Sequence, residues 1–137
     1  MARRILFVCT GNICRSPLAE YVARSIFQDQ DLTFQSVGTH AIRRLRATPD
    51  MIAVGDGLGV DLRKHRSRSI KDVSAPDVIL CMEQHHVDPA RRRFPDMAEG
   101  SIRLLDTGPV ADPYGMDRAT YEACGNQIAQ AVANLTF

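Results

Sequence analysis

The sequence predicts an α/β fold, a single domain in which a small parallel β-sheet of about four strands carries helices on both faces. Residues 5–8 and 78–82 form continuous apolar runs, which are typical of parallel strands buried on both sides. Segments with apolar residues at helical spacing alternate with such runs, and this alternation favours a parallel sheet. The 137 residues suffice for one domain and leave no room for a second core.

The first helix is expected after a short polar loop that follows the first strand. Ser16 has the side chain of an N-cap, and Pro17 is favoured at the first helical position. Helical spacing places four residues on one face of this helix: Leu18, Val22, Ser25 and Ile26. Residues 32–37 then form the second strand candidate.

Three more helices and one more strand complete the pattern. Thr48-Pro49-Asp50 opens a middle helix that should end near Gly57 or Gly59, and another helix should begin near Glu83. Residues 102–105 are the remaining strand candidate. The last helix carries an apolar face composed of Tyr121, Cys124, Ile128, Val132 and Leu135.

Composition and charge exclude several classes of protein. The net charge of +1 gives no overall attraction to nucleic acid or to a membrane surface, so neither is an expected partner. The first apolar stretch is too short for a signal peptide, and no run is long enough to span a bilayer. Four cysteines without paired CxxC spacing argue against a zinc site. We therefore expect a cytoplasmic protein that uses no metal or other cofactor.

A polar loop, Cys9-Thr10-Gly11-Asn12-Ile13-Cys14-Arg15-Ser16, joins the first strand to the first helix. A strand that leads through a glycine-containing turn into a helix gathers unpaired backbone N–H groups around one point, which makes an anion site. Arg15 adds a planar fork of donors, and the same positive field favours a thiolate at Cys9. Gly11 permits a close approach, and Asn12 tolerates left-handed backbone geometry. The pattern predicts a phosphate-binding loop with Cys9 as its nucleophile.

A second segment, Asp112-Pro113-Tyr114-Gly115, supplies the acid that this chemistry needs. The leaving group of an aryl phosphate is a phenolate, which requires a proton, and Asp112 is the candidate donor. Pro113 stiffens the turn, Gly115 lets it reverse, and Tyr114 offers a flat face to an aromatic substrate.

The two segments together, with Pro17 directly after the loop, closely resemble the low-molecular-weight protein tyrosine phosphatases of the bacterial type. The similarity extends along the chain through three further motifs: Ser36-Val37-Gly38-Thr39, His65-Arg66-Ser67-Arg68 and Ile79-Leu80-Cys81-Met82-Glu83. It implies one catalytic domain over residues 1–137 that hydrolyses phosphotyrosine through a phosphocysteine intermediate. By this resemblance Cys9 attacks phosphorus, Arg15 and the loop amides hold the oxygens, and Asp112 is the general acid.

The resemblance also implies roles for residues around the loop. Ser16 would stabilise the departing thiolate, and Asn12 would be tethered from behind by Ser36 and His65. An ordinary surface or core position is an equal alternative for Ser36 and His65. The other histidines are expected at the surface: His40, His85 and His86.

Two further expectations concern Cys14 and the pocket wall. Cys14 is either a small buried apolar residue or, as the resemblance suggests, the partner of Cys9 in a reversible protective disulfide. Many family members carry an aromatic residue after the 36–39 motif, whereas this chain has Ala41-Ile42-Arg43-Arg44-Leu45. We therefore expect Arg43 and Tyr114 at the rim of the pocket and a more acidic substrate surface.

Three alternative functions stay open at this point. An arsenate reductase of the same fold would relay oxidation to further cysteines, but residues 82–93 contain none after Cys81, and Cys124 belongs to the last helix. A protein arginine phosphatase tends to have Thr in place of Ile13. A phosphate-binding module without turnover is the third. For the phosphatase, a tyrosine-phosphorylated protein is the expected partner, with a bacterial tyrosine kinase as candidate by family analogy.

Overall fold

A parallel sheet forms the centre of the molecule, as a computed structural model that describes residues 2–28 and 30–137 shows. The sheet has the order β2-β1-β3-β4. Its strands are β1 (Arg3–Cys9), β2 (Leu32–Gly38), β3 (Val78–Cys81) and β4 (Ile102–Leu104). All three neighbouring pairs are parallel, so the predicted fold class is confirmed.

Four α-helices connect and follow the strands. They are α1 (Arg15–Ile26), α2 (Pro49–Gly57), α3 (Val87–Arg93) and α4 (Arg118–Ala133). Two short 3₁₀ helices cover Ile70–Asp72 and Gln84–His86. The start of α2 is set by Thr48, whose hydroxyl accepts the Met51 N–H, and the start of α4 by Asp117, which accepts the Thr120 N–H. These capping bonds satisfy backbone donors that have no partner inside the helix.

Alternation along the strands sends side chains to two separate cores, one on each face of the sheet. Ile5 and Phe7 belong to the core that α1, α2 and α4 cover, whereas Leu6 and Val8 belong to the core that α3 covers. The same alternation holds in β3, where all four residues are buried. Burial of one such large apolar side chain contributes about 1.5–3 kcal/mol, which explains why these strands have no polar face.

The structure corrects two details of α1. The helix begins at Arg15 with Cys14 at the N-cap position, so Ser16 lies inside the first turn and is not the cap. Its hydroxyl bonds to the Cys9 sulfur instead. The buried face runs through Ala19 and Ala23 and leaves Ser25 and Ile26 exposed. Small residues on this face allow α4 to pack closely against α1.

The sheet positions the predicted phosphate loop at its centre. Strand β1 lies between β2 and β3 and ends at Cys9, so the loop emerges at the carboxyl edge of the sheet. In parallel α/β sheets ligands bind at this edge, where the strand order reverses. Within residues 2–28 and 30–137, no helix combines the length and the apolar character that a membrane crossing requires.

Candidate active site

A cavity of about 210 Å³ opens at the carboxyl end of β1 and brings the two predicted motifs together. Its lining consists of Cys9, Thr10, Gly11, Ile13, Cys14, Arg15, Asp112 and Tyr114. The nucleophile and the acid candidate are distant in sequence and reach one pocket only through the fold. The cavity therefore joins a thiol, a guanidinium and a carboxyl group around one small volume.

The Cys9 sulfur lies at the floor of this cavity and receives hydrogen bonds from the loop. Cys9 as a whole is 2% exposed. The Asn12 backbone N–H donates to Sγ at 3.3 Å, and the Ser16 hydroxyl lies 2.9 Å from it. The sulfur therefore has two polar groups of the loop region within hydrogen-bond distance.

Asn12 holds the loop from behind. It is fully buried and has a positive φ of 57°, the left-handed geometry that asparagine tolerates. Its Nδ2 group donates to Ser16 Oγ at 2.7 Å and to Ser36 Oγ at 3.0 Å, and its Oδ1 accepts the Arg68 N–H at 2.8 Å. Its carbonyl oxygen accepts a bond from His65 Nε2 at 2.7 Å. Four contacts thus hold the loop residue that has a positive φ.

A buried carboxylate that sequence reasoning missed continues this network. The Ser36 hydroxyl donates to Glu20 Oε1 at 2.5 Å, and the other Glu20 oxygen pairs with Arg24. Burial raises the pKa of Glu20, while burial lowers that of His65. Glu20 lies on the buried face of α1, four residues after Ser16. A charged side chain that is buried in this way needs a partner.

Arg15 is anchored on one side of the cavity. The residue is 2% exposed, and its Nη1 donates to Glu83 Oε1 at 2.6 Å and to the Val110 carbonyl at 2.8 Å. Its Nη2 lies 3.8 Å from Asp112 Oδ2. A buried guanidinium needs such partners, and here they also determine its direction.

Asp112 and Tyr114 lie at the mouth of the cavity. Asp112 Oδ1 accepts the Tyr114 N–H at 3.1 Å, a local bond that stiffens the turn. The Asp112 side chain is 51% exposed and Tyr114 is 62% exposed. Gly115 has a φ of 77°, which allows the chain to reverse after the tyrosine. The carboxyl group is therefore accessible to a substrate that enters from solvent.

Cys14 is a buried free thiol that belongs to the lining of the cavity. Its sulfur lies 3.5 Å from Thr48 Oγ1 and 3.6 Å from the Tyr121 hydroxyl, and burial raises its pKa. All four cysteines of the chain are free thiols in this structure. A disulfide between Cys9 and Cys14 stays a prediction.

His86 is not at the surface, so the prediction for this residue is wrong. It is fully buried, whereas His40 and His85 are exposed as expected. Its Nε2 lies 2.8 Å from Thr10 Oγ1, and its Nδ1 accepts the Glu83 N–H at 3.1 Å. Glu83 and His86 form the reciprocal bonds of a capping box around the second 3₁₀ helix, but their residue types differ from the Ser/Thr and Glu/Gln pair that marks such a box in a sequence.

Arg43 does not reach the rim of the cavity. Its guanidinium is exposed and forms two bonds to Asp72, at 2.5 and 3.1 Å. The neighbouring Ile42 is 70% exposed. Among the described residues that line the cavity, Tyr114 is the only aromatic one, and neither Arg43 nor Ile42 belongs to the lining.

Two cysteines that a redox relay would need are buried in the cores. Burial raises the pKa of Cys81 and of Cys124 to about 12, so both are held as neutral thiols. Cys81 lies in β3 and belongs to the core that α3 covers, whereas Cys124 lies on α4 and belongs to the other core. In the part of the chain that the structure describes, no three His, Cys, Asp or Glu side chains are grouped to hold a metal ion.

Comparison with known proteins gives consistent matches along the chain. A family model described as low molecular weight phosphotyrosine protein phosphatase matches residues 4–136. The chain is 33% identical to the low molecular weight protein-tyrosine-phosphatase Wzb of Escherichia coli K12, over 90% of this chain and 86% of that protein. It is 30% identical to a protein-arginine-phosphatase of Geobacillus stearothermophilus, over 98% of this chain and 95% of that protein.

A solved structure agrees with these matches. The crystal structure of a low molecular weight protein tyrosine phosphatase from T. tengcongensis has a TM-score of 0.87 to this chain at 29% identity. The alignment covers 96% of this chain and 95% of that chain. The similarity therefore extends to both tyrosine and arginine phosphatases.

Proposed function

Because the chain belongs to the low molecular weight phosphotyrosine protein phosphatase family, we propose that it hydrolyses phosphotyrosine in proteins and other aryl phosphate monoesters. The observation that carries the proposal is the shared cavity of Cys9, Arg15 and Asp112. A nucleophile, a fixed cation and an accessible acid are what transfer of a phosphoryl group to an enzyme thiol requires.

In the first step, the Cys9 thiolate attacks phosphorus, so that an S–P bond forms and the O–P bond to the phenol breaks. Asp112 enters this step as a carboxylic acid and gives its proton to the leaving phenolate oxygen. Charge spreads over three equatorial oxygens in the transition state, and the loop amides and Arg15 are preorganised to stabilise it. The Glu83 and Val110 contacts support this role, since they hold the guanidinium in place before the substrate arrives.

In the second step, water attacks phosphorus in the phosphocysteine, and Asp112, now a carboxylate, takes a proton from that water. The S–P bond breaks, and inorganic phosphate and the Cys9 thiolate are released. Ser16 supports this step, since its hydroxyl lies 2.9 Å from the sulfur that must leave as an anion. No cofactor enters the proposed scheme.

Two apolar side chains favour a phenyl ring in the entrance of the cavity. Ile13 and Tyr114 both line it, and a planar aromatic group gains more from such contacts than a charged guanidinium, which must lose water. A protein arginine phosphatase is the second candidate, because a relative with that activity is 30% identical over 98% of the chain. An arsenate reductase is less well supported, since Cys81 and Cys124 are buried in separate cores.

The natural substrate that we propose is a tyrosine-phosphorylated protein of the cytoplasm, with a bacterial tyrosine kinase as the first candidate. The similarity to the Escherichia coli tyrosine phosphatase supports a phosphoprotein substrate.

The decisive experiment measures kcat/KM on one peptide in two forms, phosphorylated on tyrosine or on arginine. Wild type should prefer the phosphotyrosine form, and Cys9→Ser should abolish turnover. The kcat/KM of Asp112→Asn should be lower than that of wild type by a factor of about 10² to 10⁴. Asp96→Asn is the matched control, since this carboxylate is exposed and does not line the cavity. A preference for phosphoarginine would select the second candidate, and full activity of Cys9→Ser would reject both. Consumption of thioredoxin that depends on arsenate would support the reductase.

A further inference from the structure

The buried imidazole of His86 contacts two groups that belong to different parts of the phosphate site. Its Nε2 lies 2.8 Å from the hydroxyl of Thr10, the second residue of the phosphate loop. Its Nδ1 lies 3.1 Å from the backbone nitrogen of Glu83, which directly follows the strand β3 and Met82. A fully buried histidine with both ring nitrogens bonded is fixed in position and orientation.

The direction of both bonds follows from the backbone. The Glu83 N–H can only donate, so Nδ1 of His86 must accept and carries no proton. In the neutral imidazole the proton is then on Nε2, which donates to Thr10 Oγ1. Burial, together with the charges of His85, Arg15 and His40, lowers the pKa of His86 to about 3, so the neutral form persists at any working pH.

Glu83 extends this connection to the catalytic guanidinium. Its Oε1 accepts from Arg15 Nη1 at 2.6 Å, and its side chain also accepts the His86 backbone N–H. His86 and Glu83 thus bond to each other in both directions, and each bonds to one element that would hold phosphate. Thr10 is held by the imidazole, and Arg15 is held by the carboxylate.

We propose that His86 is a positioning residue that fixes the phosphate loop and the Arg15 anchor in one geometry through its bond to Thr10. The proposal rests on the proposed function, since it assigns the pocket to a phosphoryl group. It predicts that loss of the bond between His86 and Thr10 weakens the binding of a tetrahedral anion. A residue that only fills the core would affect folding stability and leave anion binding unchanged.

Inorganic phosphate is the probe for this test, because its binding can be titrated by calorimetry without turnover. The variants are Thr10→Val, which removes the hydroxyl at nearly constant shape, and His86→Asn, which keeps an acceptor near Nδ1 and removes the Nε2 donor. Each should weaken phosphate binding about three- to tenfold. The double variant should lose no more than either single variant, because both substitutions remove the same bond.

Two further measurements separate positioning from packing. His86→Gln places an amide donor near Nε2 and should recover most of the phosphate affinity that His86→Asn loses. The melting temperature of Thr10→Val should fall, because the buried Nε2 donor is left unpaired, and its phosphate affinity should fall as well, whereas a loss of packing alone would lower only the melting temperature. His40→Gln is the control, since His40 is exposed and does not line the cavity.

The proposal is overturned if Thr10→Val binds phosphate as tightly as wild type, or if the losses of the two single variants multiply in the double variant. The Thr10 variant keeps the test decisive even if His86→Asn does not fold. A wild-type protein that binds phosphate but hydrolyses no phosphate ester would contradict the proposed function. The same affinities would still decide the role of His86.

Discussion

The Cys9 sulfur and the Ser16 hydroxyl lie 2.9 Å apart, and their surroundings determine which of them donates. The Arg68 N–H donates to Asn12 Oδ1, so the Asn12 amide nitrogen must be the atom that donates to Ser16 Oγ at 2.7 Å. Ser16 therefore accepts one bond and has its own proton left for an acceptor. The sulfur at 2.9 Å is closer than the Val37 carbonyl at 3.4 Å. A Cys9 thiolate has no proton to give, so in that form of the enzyme the hydroxyl must donate to sulfur.

Removal of this donor should slow the release of the thiolate. A hydrogen bond to a charged group contributes about 1.5–3 kcal/mol, so Ser16→Ala should lower the rate of phosphocysteine hydrolysis about ten- to a hundredfold. The sulfur is the leaving group only in the second step, which should therefore suffer most. Rapid-quench measurement of phenol release should show a burst of one equivalent followed by slow turnover.

Ser25→Ala is the control for this experiment, because Ser25 is an exposed serine on the same helix. Its turnover should match that of wild type. If Ser16→Ala slows phenol release and hydrolysis equally, with no burst, the hydroxyl does not act on the departing sulfur.

The stability of the protein should depend on pH through His86. Its pKa is about 3 in the folded state, against an ordinary value of 6.5, so the unfolded chain binds the additional proton between these values. The free energy of unfolding is therefore greatest above pH 6.5 and falls as the pH decreases toward 3, by up to about 1.4 kcal/mol per pH unit. The buried His65, whose pKa is also lowered, acts in the same direction.

Urea unfolding at pH 7 and at pH 5 measures this effect. His86→Gln removes the titrating group, so its unfolding free energy should fall about 1–2 kcal/mol less between the two pH values than that of wild type. The comparison uses only the change with pH, so a constant loss of stability in the variant does not affect it. Equal changes in both proteins would show that His86 is not held neutral by the fold.

The fold and the nucleophile loop could be predicted because their signals are local. Residues 5–8 and 78–82 are apolar without interruption since both faces of their strands are buried, and the phosphate loop is one continuous segment between β1 and α1. The capping of α2 by Thr48 depends on Met51, three residues later. Such patterns lie within one short stretch of the chain.

The errors concern residues whose partners are distant in sequence. His86 bonds to Thr10 across 76 positions, and Arg43 bonds to Asp72 across 29 positions. The residues around a histidine do not indicate a partner 76 positions away, so the usual exposure of histidine predicts a surface position for His86. The rim position expected for Arg43 follows from its place after the 36–39 motif, which does not indicate the ion pair with Asp72.

Gly38 should be essential to the position of the loop. A Cβ atom at this residue would lie 2.4 Å from the Thr10 carbonyl oxygen and 3.0 Å from the Asn12 nitrogen, and both atoms belong to the backbone of the loop. Gly38→Ala should therefore displace the loop, lower the free energy of unfolding by about 1–3 kcal/mol and reduce kcat/KM. Urea unfolding and turnover of an aryl phosphate measure the two effects.

Gly57 provides the matched control for this substitution. A Cβ atom there meets nothing within 4 Å, and the residue belongs to α2. Gly57→Ala should leave turnover unchanged and raise the stability by up to about 1 kcal/mol, since alanine favours helix. Equal turnover of Gly38→Ala and wild type would mean that the loop tolerates the displacement.

Ile13 should determine the choice between a phenyl ring and a guanidinium. Its side chain lines the cavity, and its carbonyl oxygen accepts the Thr48 N–H at 2.9 Å, so a new side chain should not move the backbone. Ile13→Thr removes apolar contact with a phenyl ring and adds an oxygen that can accept from a guanidinium N–H. The ratio of kcat/KM for phosphoarginine to that for phosphotyrosine should rise about tenfold.

Ile13→Val separates the effect of polarity from that of volume, because valine has nearly the shape of threonine without the hydroxyl. We expect Val to lower kcat/KM for phosphotyrosine about threefold through the lost methyl group and to leave the ratio of the two substrates close to that of wild type. The assay uses one peptide backbone phosphorylated on either residue, so that only the group in the cavity differs. If the Thr and Val variants share one ratio, the hydroxyl does not select the substrate, and the preference must come from another residue that lines the cavity, with Tyr114 as the first candidate.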